Sequence, residues 1–492
     1  MNIREAKRQI LNTVKAYLAR DEYGMWEIPP EQQRPILMIG APGIGKTAIM
    51  RQIAQELGIN LVSYSMTHHT RQSALGLPHM VEKPWGTVTE YTVSEIINAV
   101  YESMRQTGNR QGILFLDEIN CVSETLAPSM LQFLQFKTFG QHRVPDDWVI
   151  VTAGNPPEYN RSVRPFDVVM LDRLRVLKVE PDYGAWKAYA SARRIHPAIA
   201  SFLEGRKNAF YLAETTADGP QYVTARGWED LSAMLRLYEK QGTPVDEALI
   251  GQYICSARIS TDFFTYYELF LKYRSRFDAA AVLAGQADEA LVLQAREARF
   301  DERYAVVGIL LDSLAERMGR VMTEHDALTG LLALLKQIKP RLAEGRSLPG
   351  LLTAALEESR ERLALLERSG ALPERKQRSD RTMLERLRQL CADDAAWESV
   401  KAGYARMLDE HRAQAEETRL SAEHVFDFCE KAFADGQELL ILVTEMTVNP
   451  AVSGFIAAFG CESYFAHSRD LVFYERKKEI EERLDRLDLQ QL

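Results

Sequence analysis

Gly40-Ala41-Pro42-Gly43-Ile44-Gly45-Lys46-Thr47 is the stretch that decides the fold of this chain. The apolar run Ile36-Leu37-Met38-Ile39 precedes it, and Ile49, Ile53 and Leu57 follow at four-residue spacing. An apolar run, a glycine-rich turn and an amphipathic period predict strand, loop and helix, the order that a phosphate-binding loop requires. Glycine lets the backbone turn tightly enough for successive N–H groups to face phosphate oxygens. Lys46 then reaches toward the β- and γ-phosphates, and the Thr47 hydroxyl is positioned to hold Mg2+. All eight residues, Gly40, Ala41, Pro42, Gly43, Ile44, Gly45, Lys46 and Thr47, are candidates to line a nucleoside triphosphate.

Two further strand ends supply the rest of such a site. Ile113-Leu114-Phe115-Leu116 runs directly into Asp117-Glu118. A pair of acids after a strand is by itself a solvated turn. With a phosphate loop upstream, Asp117 becomes a Mg2+ ligand, acting mostly through water, and Glu118 the group that orients and polarises the attacking water. Trp148-Val149-Ile150-Val151-Thr152-Ala153 ends in Gly154-Asn155-Pro156-Pro157. Asn-Pro is a turn signal, yet an amide at a strand tip beside the γ-phosphate also positions water while staying neutral at every pH. Further strands are expected at Leu61–Tyr64 and Leu174–Val179. Between them, 66–111 reads as irregular apart from one helix around Val93, Ile96, Ile97 and Val100, and a helix is expected over Ser123–Phe136. The His68-His69 pair lacks a third ligand at useful spacing, so no metal is expected there.

The whole chain bounds the class. Its 492 residues are 46% apolar and 26% charged with a net charge of −9, the balance of a globular protein of two to four domains. The acidic excess disfavours a chain whose main task is to coat nucleic acid. Five cysteines, at 121, 255, 391, 429 and 461, form no C-x-x-C pair and are odd in number, which predicts reduced packing thiols and a cytoplasmic setting. Met1–Arg20 has no unbroken apolar core of a leader, and Leu439-Leu440-Ile441-Leu442-Val443 is far short of the roughly 20 residues that span a bilayer. No membrane insertion is expected.

Beyond these separate signals, the chain resembles the AAA+ ATPases, and within them the MoxR/dynein-related branch. The resemblance is carried by GAPGIGKT (40–47), ILFLDEIN (113–120), VPDDWVIVTAGNPPE (144–158), MLDRLRVLKVEPDYGAW (170–186), IHPAIASFL (195–203) and VTARGWEDLS (223–232), in the family's order over about residues 30 to 275. It implies an α/β P-loop core with a five-stranded parallel sheet, a helical lid, ATP and Mg2+ as cofactors, and ATP hydrolysis. Asn155 falls at sensor 1, Arg226 at the sensor 2 arginine, and Arg173 at the arginine finger that reaches a neighbouring subunit. Such a ring is most often a hexamer. Two departures bear on these arginines. Ala225 stands where the family often has proline, and Leu174 where it commonly has phenylalanine, so Arg175, Arg164 and Arg161 remain rival fingers.

The expected organisation is a nucleotide-binding core with its N-terminal helix over 1–180, a helical lid over 181–277 and a mainly α-helical accessory or partner-binding region over 278–492. Helical stripes are expected at 351–372, 383–391, 397–415, 422–434 and 475–487. The basic cluster Arg375-Lys376-Gln377-Arg378 with Arg381, Arg386 and Arg388 alternates with acids and reads as a solvated linker and helix face. The resemblance implies a chaperone-like remodelling ATPase acting on a protein partner, one carrying a von Willebrand A-type domain. The alternatives are a nucleic-acid-associated motor of restriction or defence type and a slow nucleotide-switched scaffold. Trp85 and Tyr91 are candidates to grip substrate in a central pore, or else to pack locally.

Overall fold

The computed structural model describes residues 1–68, 76–123, 125–139, 141–159, 163, 166, 168–193, 195–216, 219–343, 347–369, 372–391, 396–434 and 436–468. His69, Arg161, Arg164 and the expected helix at 475–487 lie outside them. By internal packing the chain divides into two units. One holds Met1–Trp186, Tyr211–Gly227 and Arg368–Pro373; the other holds Lys187–Phe210, Trp228–Glu367 and Glu374–Leu492.

The first unit is built on a five-stranded parallel sheet of β1 (Ile36–Gly40), β2 (Asn60–Ser65), β5 (Gly112–Asp117), β8 (Trp148–Gly154) and β9 (Arg175–Val179), in the order β2-β5-β8-β1-β9. Strands buried on both faces read as unbroken apolar runs, because each alternate side chain meets a different layer. Thus Leu37, Leu114 and Leu116 point to one layer with α3 (Glu95–Thr107) and α4 (Ala127–Phe136), contributing Ile97, Val100, Met130 and Phe133. Ile36, Met38, Ile113 and Phe115 point to the other, with α1 (Ile3–Leu18) and α2 (Lys46–Leu57). α1 opens with a capping box in which Asn2 and Glu5 satisfy each other's backbone N–H groups. α2 ends at Gly58 in the left-handed conformation, as its position in the sequence predicts.

Two elements depart from the sequence expectations. Within 66–111 the chain forms an antiparallel hairpin, β3 (Pro78–Lys83) with β4 (Gly86–Tyr91), which leaves Met80 82% and Trp85 77% exposed. A second hairpin, β10 (Leu212–Thr216) with β11 (Gly219–Val223), interrupts the helical run expected after Asp182. Neither carries the strict alternation of a half-buried strand, since both hairpins expose much of their surface. A two-residue pair, β6 (Thr138–Phe139) with β7 (His142–Arg143), leads into β8.

The second unit is helical among its described residues. Trp228, Phe263 and Phe202 form edge-to-face contacts with ring centroids 5.2 to 5.3 Å apart. A single helix runs from Phe300 to Ala343, 44 residues, and Trp397–Phe433 is likewise continuous where two helices were expected. Gly308 of the long helix passes close to Pro197–Gly205, so that a Cβ placed there would sit 3.8 Å from Ser201. Farther along, Leu328, Leu331 and Leu335 join Leu352, Met383, Leu387 and Val400 in one core. The basic cluster lies on helix Glu374–Leu390 and is paired: Arg375 with Asp326 at 2.9 Å, Arg381 with Glu367 at 2.8 Å and Arg386 with Glu324 at 2.7 Å. Among the described residues no single helix is long and apolar enough to cross a membrane; Gln437–Val448 and Pro450–Phe459 reach that apolarity only together, bent by 86°.

Candidate functional site

Positive φ angles shape the loop after β1. Gly43 (φ +72°) and Gly45 (φ +96°) adopt conformations that L side chains resist, and a Cβ on Gly43 would fall 2.8 Å from Thr224. Lys46, the first residue of α2, is only 8% exposed. Its ammonium donates to the carbonyls of Gly40 (2.7 Å) and Ala41 (2.9 Å) and to Asn155 Oδ1 (2.8 Å). Burial pulls its pKa down to about 8, and the charge of Asp117 opposes that shift only in part. Beside it, Thr47 Oγ1 donates to Asp117 Oδ2 at 2.9 Å, so the loop hydroxyl and the acid at the end of β5 share one point.

Glu118 breaks a backbone rule. Its φ of +56° is left-handed, a conformation that costs a non-glycine residue about 1–2 kcal/mol. The turn is supported by Asp117 Oδ1, which accepts the Glu118 N–H at 2.9 Å. It sends the Glu118 carboxylate toward the tip of β2, where Oε2 accepts the Ser65 hydroxyl at 2.8 Å and the Thr67 hydroxyl at 3.2 Å. Reading the sequence along the chain misses both hydroxyls. Strand register could have found one of them, because Ser65 pairs directly with Asp117. If Ser65 and Thr67 restrain the carboxylate, replacing both with Ala should raise basal turnover of the site about 2- to 10-fold, the effect of one or two hydrogen bonds. A steady-state phosphate-release assay on the double variant reads this, and an unchanged or lowered rate removes the restraint.

Asn155 is fixed through its main chain. Asn120 Nδ2 donates to the Asn155 carbonyl at 2.7 Å, and Asn120 packs so closely on Gly154 that a Cβ there would lie 2.6 Å from Asn120 Oδ1. Gly154 is thus needed for the approach of the two strand tips. Arg226 reaches the site by its backbone, whose N–H donates to the Gly43 carbonyl at 3.2 Å, while its side chain is exposed. Arg173 closes the helix Val168–Arg173, is exposed, and joins none of these hydrogen bonds. Its rival Arg175 is engaged elsewhere, donating to Thr13 Oγ1 at 2.6 Å and Gln9 Oε1 at 3.2 Å on α1. Lys46, Thr47, Asp117, Glu118 and Asn155 therefore converge, together with the backbone of Arg226. Arg173 stands apart.

Residues 36–169 match the family described as "ATPase family associated with various cellular activities (AAA)". The chain carries an AAA ATPase domain. Lon protease of Halothermothrix orenii (strain H 168 / OCM 544 / DSM 9562) is 29% identical over 223 residues, covering 40% of this chain and 26% of its own length. The chain thus spans about a quarter of that curated relative. Two solved structures of Thermotoga maritima RuvB mutants match at 14% identity with TM-scores of 0.29 and 0.28, covering 51% and 50% of this chain and 69% of each of theirs. The phosphate loop, Asp117, Glu118 and Asn155 all fall inside the matched AAA stretch, whereas Arg173 and Arg226 lie beyond its end.

Proposed function

We propose that this chain is a Mg2+-dependent AAA+ ATPase of the MoxR/dynein-related kind, which couples ATP hydrolysis to remodelling of a protein partner. The observation that carries the reading is the meeting of Lys46, Asn155, Thr47 and Asp117 within hydrogen-bond distance at the ends of three adjacent strands. Thr47 Oγ1 and Asp117 Oδ2 offer the hard oxygen donors that suit Mg2+, which when bound neutralises charge on the β- and γ-phosphate oxygens. Lys46 exchanges its two loop carbonyls for phosphate oxygens. Glu118, released from Ser65 and Thr67, orients the attacking water and accepts its proton. Asn155 holds that water from the opposite side through its amide. Arg226 approaches the phosphates in the same subunit, and Arg173 those of a neighbour in a ring of six.

In this reading 1–180 is the core, 181–277 the lid and 278–492 the region that engages the partner, for which a von Willebrand A-type protein is the leading class. The setting is cytoplasmic. Capture of partners by the Glu118→Gln chain held in ATP tests the remodelling role; enrichment of nucleic acid in place of a protein would replace it with the motor alternative.

The lowered pKa of Lys46 gives the nucleotide reading a direct test. In the free chain Lys46 loses its proton as pH rises through about 8. A bound triphosphate favours the charged form and so raises that pKa. Binding is therefore undiminished below pH 8 and weakens above it, by up to tenfold per pH unit, with uptake of up to one proton. Calorimetry of ATP binding at pH 8.5, in buffers of different ionisation enthalpy, should show that uptake, and at pH 6.5 it should vanish. Equal proton uptake at both values would sink the assignment.

A further inference from the structure

The carbonyls of the phosphate loop are held one after another. Those of Gly40 and Ala41 accept the Lys46 ammonium. The next two accept from the segment 211–227, well outside the loop in sequence: Pro42 takes the Tyr211 hydroxyl at 3.3 Å, and Gly43 takes the Arg226 N–H at 3.2 Å. The peptide unit is planar, so fixing a carbonyl fixes the direction of the N–H that follows it. In a phosphate loop those N–H groups are the phosphate ligands. Holding the Pro42 carbonyl from behind therefore aims the Gly43 N–H.

Burial, with the Tyr159 phenol beside it, holds the Tyr211 hydroxyl in its protonated, donating form. A carbonyl can only accept, so the single Tyr211 proton goes to Pro42. Tyr159 lies four residues beyond Asn155, and its N–H donates to the Pro156 carbonyl at 3.1 Å in the turn that follows it. Tyr211 thus holds the loop that begins at Gly40 from outside it. The ring of Tyr211 packs against the apolar layer beneath α1 and α2, which sets the height of its hydroxyl.

We propose that Tyr211 is a positioning residue of the nucleotide site, which holds the phosphate loop in its binding conformation through the Pro42 carbonyl. The inference rests on the nucleotide reading given above. It assigns a role to β10 and its flank that none of the strand-end motifs supplies. Because Tyr211 acts on the loop and not on the attacking water, its loss changes binding and KM while kcat stays close to the wild-type value.

The test is titration of a fluorescent Mg-ADP analogue into the full chain and into Lys46→Ala, Tyr211→Phe and Tyr211→Ala, with thermal melting of each and steady-state ATPase kinetics. Tyr211→Phe keeps the ring and removes only the hydroxyl. It is expected to weaken binding about 3- to 10-fold, the worth of one hydrogen bond, with an unchanged melting midpoint. A role in packing alone predicts that Phe restores what Ala loses; wild-type binding by Tyr211→Phe, when Lys46→Ala has lost it, overturns the proposal and leaves the nucleotide reading intact. Failure of the wild-type chain to bind the analogue overturns both.

Discussion

Glu118→Gln is expected to bind ATP as tightly as the parent chain and to hydrolyse it about 10²–10⁴-fold more slowly, the span that positioned proton transfer commonly contributes. The substitution is nearly isosteric. An amide oxygen still accepts from Ser65 and Thr67, so the geometry at the tip of β2 survives. What is lost is the ability to take a proton from water as the oxygen–phosphorus bond forms. Lys46, Thr47 and Asp117 are untouched, and with them the groups assigned to binding. Single-turnover hydrolysis and equilibrium binding on the same sample separate the two effects. Turnover within a few-fold of the parent would remove Glu118 from the chemistry and return attention to Asn155. Gly at position 118 provides a useful contrast, since it relieves the left-handed backbone while deleting the carboxylate: folding should gain as hydrolysis falls.

Arg173→Ala carries the other large effect, a loss of about 10³–10⁵ in rate if this guanidinium completes the site of a neighbour. Its exposure and its place at the end of a helix leave it available to a second copy of the chain. Arg175, tied to Thr13 and Gln9, is the internal control, and its replacement should cost stability more than rate. The trans role has its own signature. Arg173→Ala keeps an intact phosphate loop, and Lys46→Ala keeps an intact finger, so a mixture of the two inactive chains should recover activity that neither has alone. Arg173→Ala with normal turnover, or a mixture as silent as its components, rules out the finger at this position.

The nucleotide core was legible because its signals are local. The three inner strands, β5, β8 and β1, are buried on both faces and so announce themselves as apolar runs, and the functional residues sit at the ends of those runs. Gly40–Thr47, Asp117 and Asn155 could all be found by walking to the end of a strand. What escaped was whatever depends on neighbours across the sheet or far along the chain. Ser65 and Thr67 meet Glu118 only because β2 lies beside β5. Asn120 was visible inside its motif, but nothing in the motif says that it holds the Asn155 carbonyl. Tyr211 follows Phe210 at the edge of a hairpin whose weak alternation disguised it as part of a helical run. In the helical unit, stripes gave the helices but not their continuity: 397–433 has no proline, and its one glycine, Gly403, lies near its start, so packing carries it through as one rod.

The long helix Phe300–Ala343 has a mechanical consequence. At about 1.5 Å per residue its 44 residues extend roughly 66 Å, and the contact at Gly308 is separated from the Leu331 layer by some 35 Å. Proline interrupts the hydrogen-bond ladder only at Pro340, close to the end, and an unbroken helical cylinder such as the span from Gly308 to Leu331 resists bending far better than it resists rotation about a distant pivot. A small tilt of Pro197–Gly205 would therefore emerge at the far layer as a displacement several times larger, in the manner of an oar turning in its rowlock.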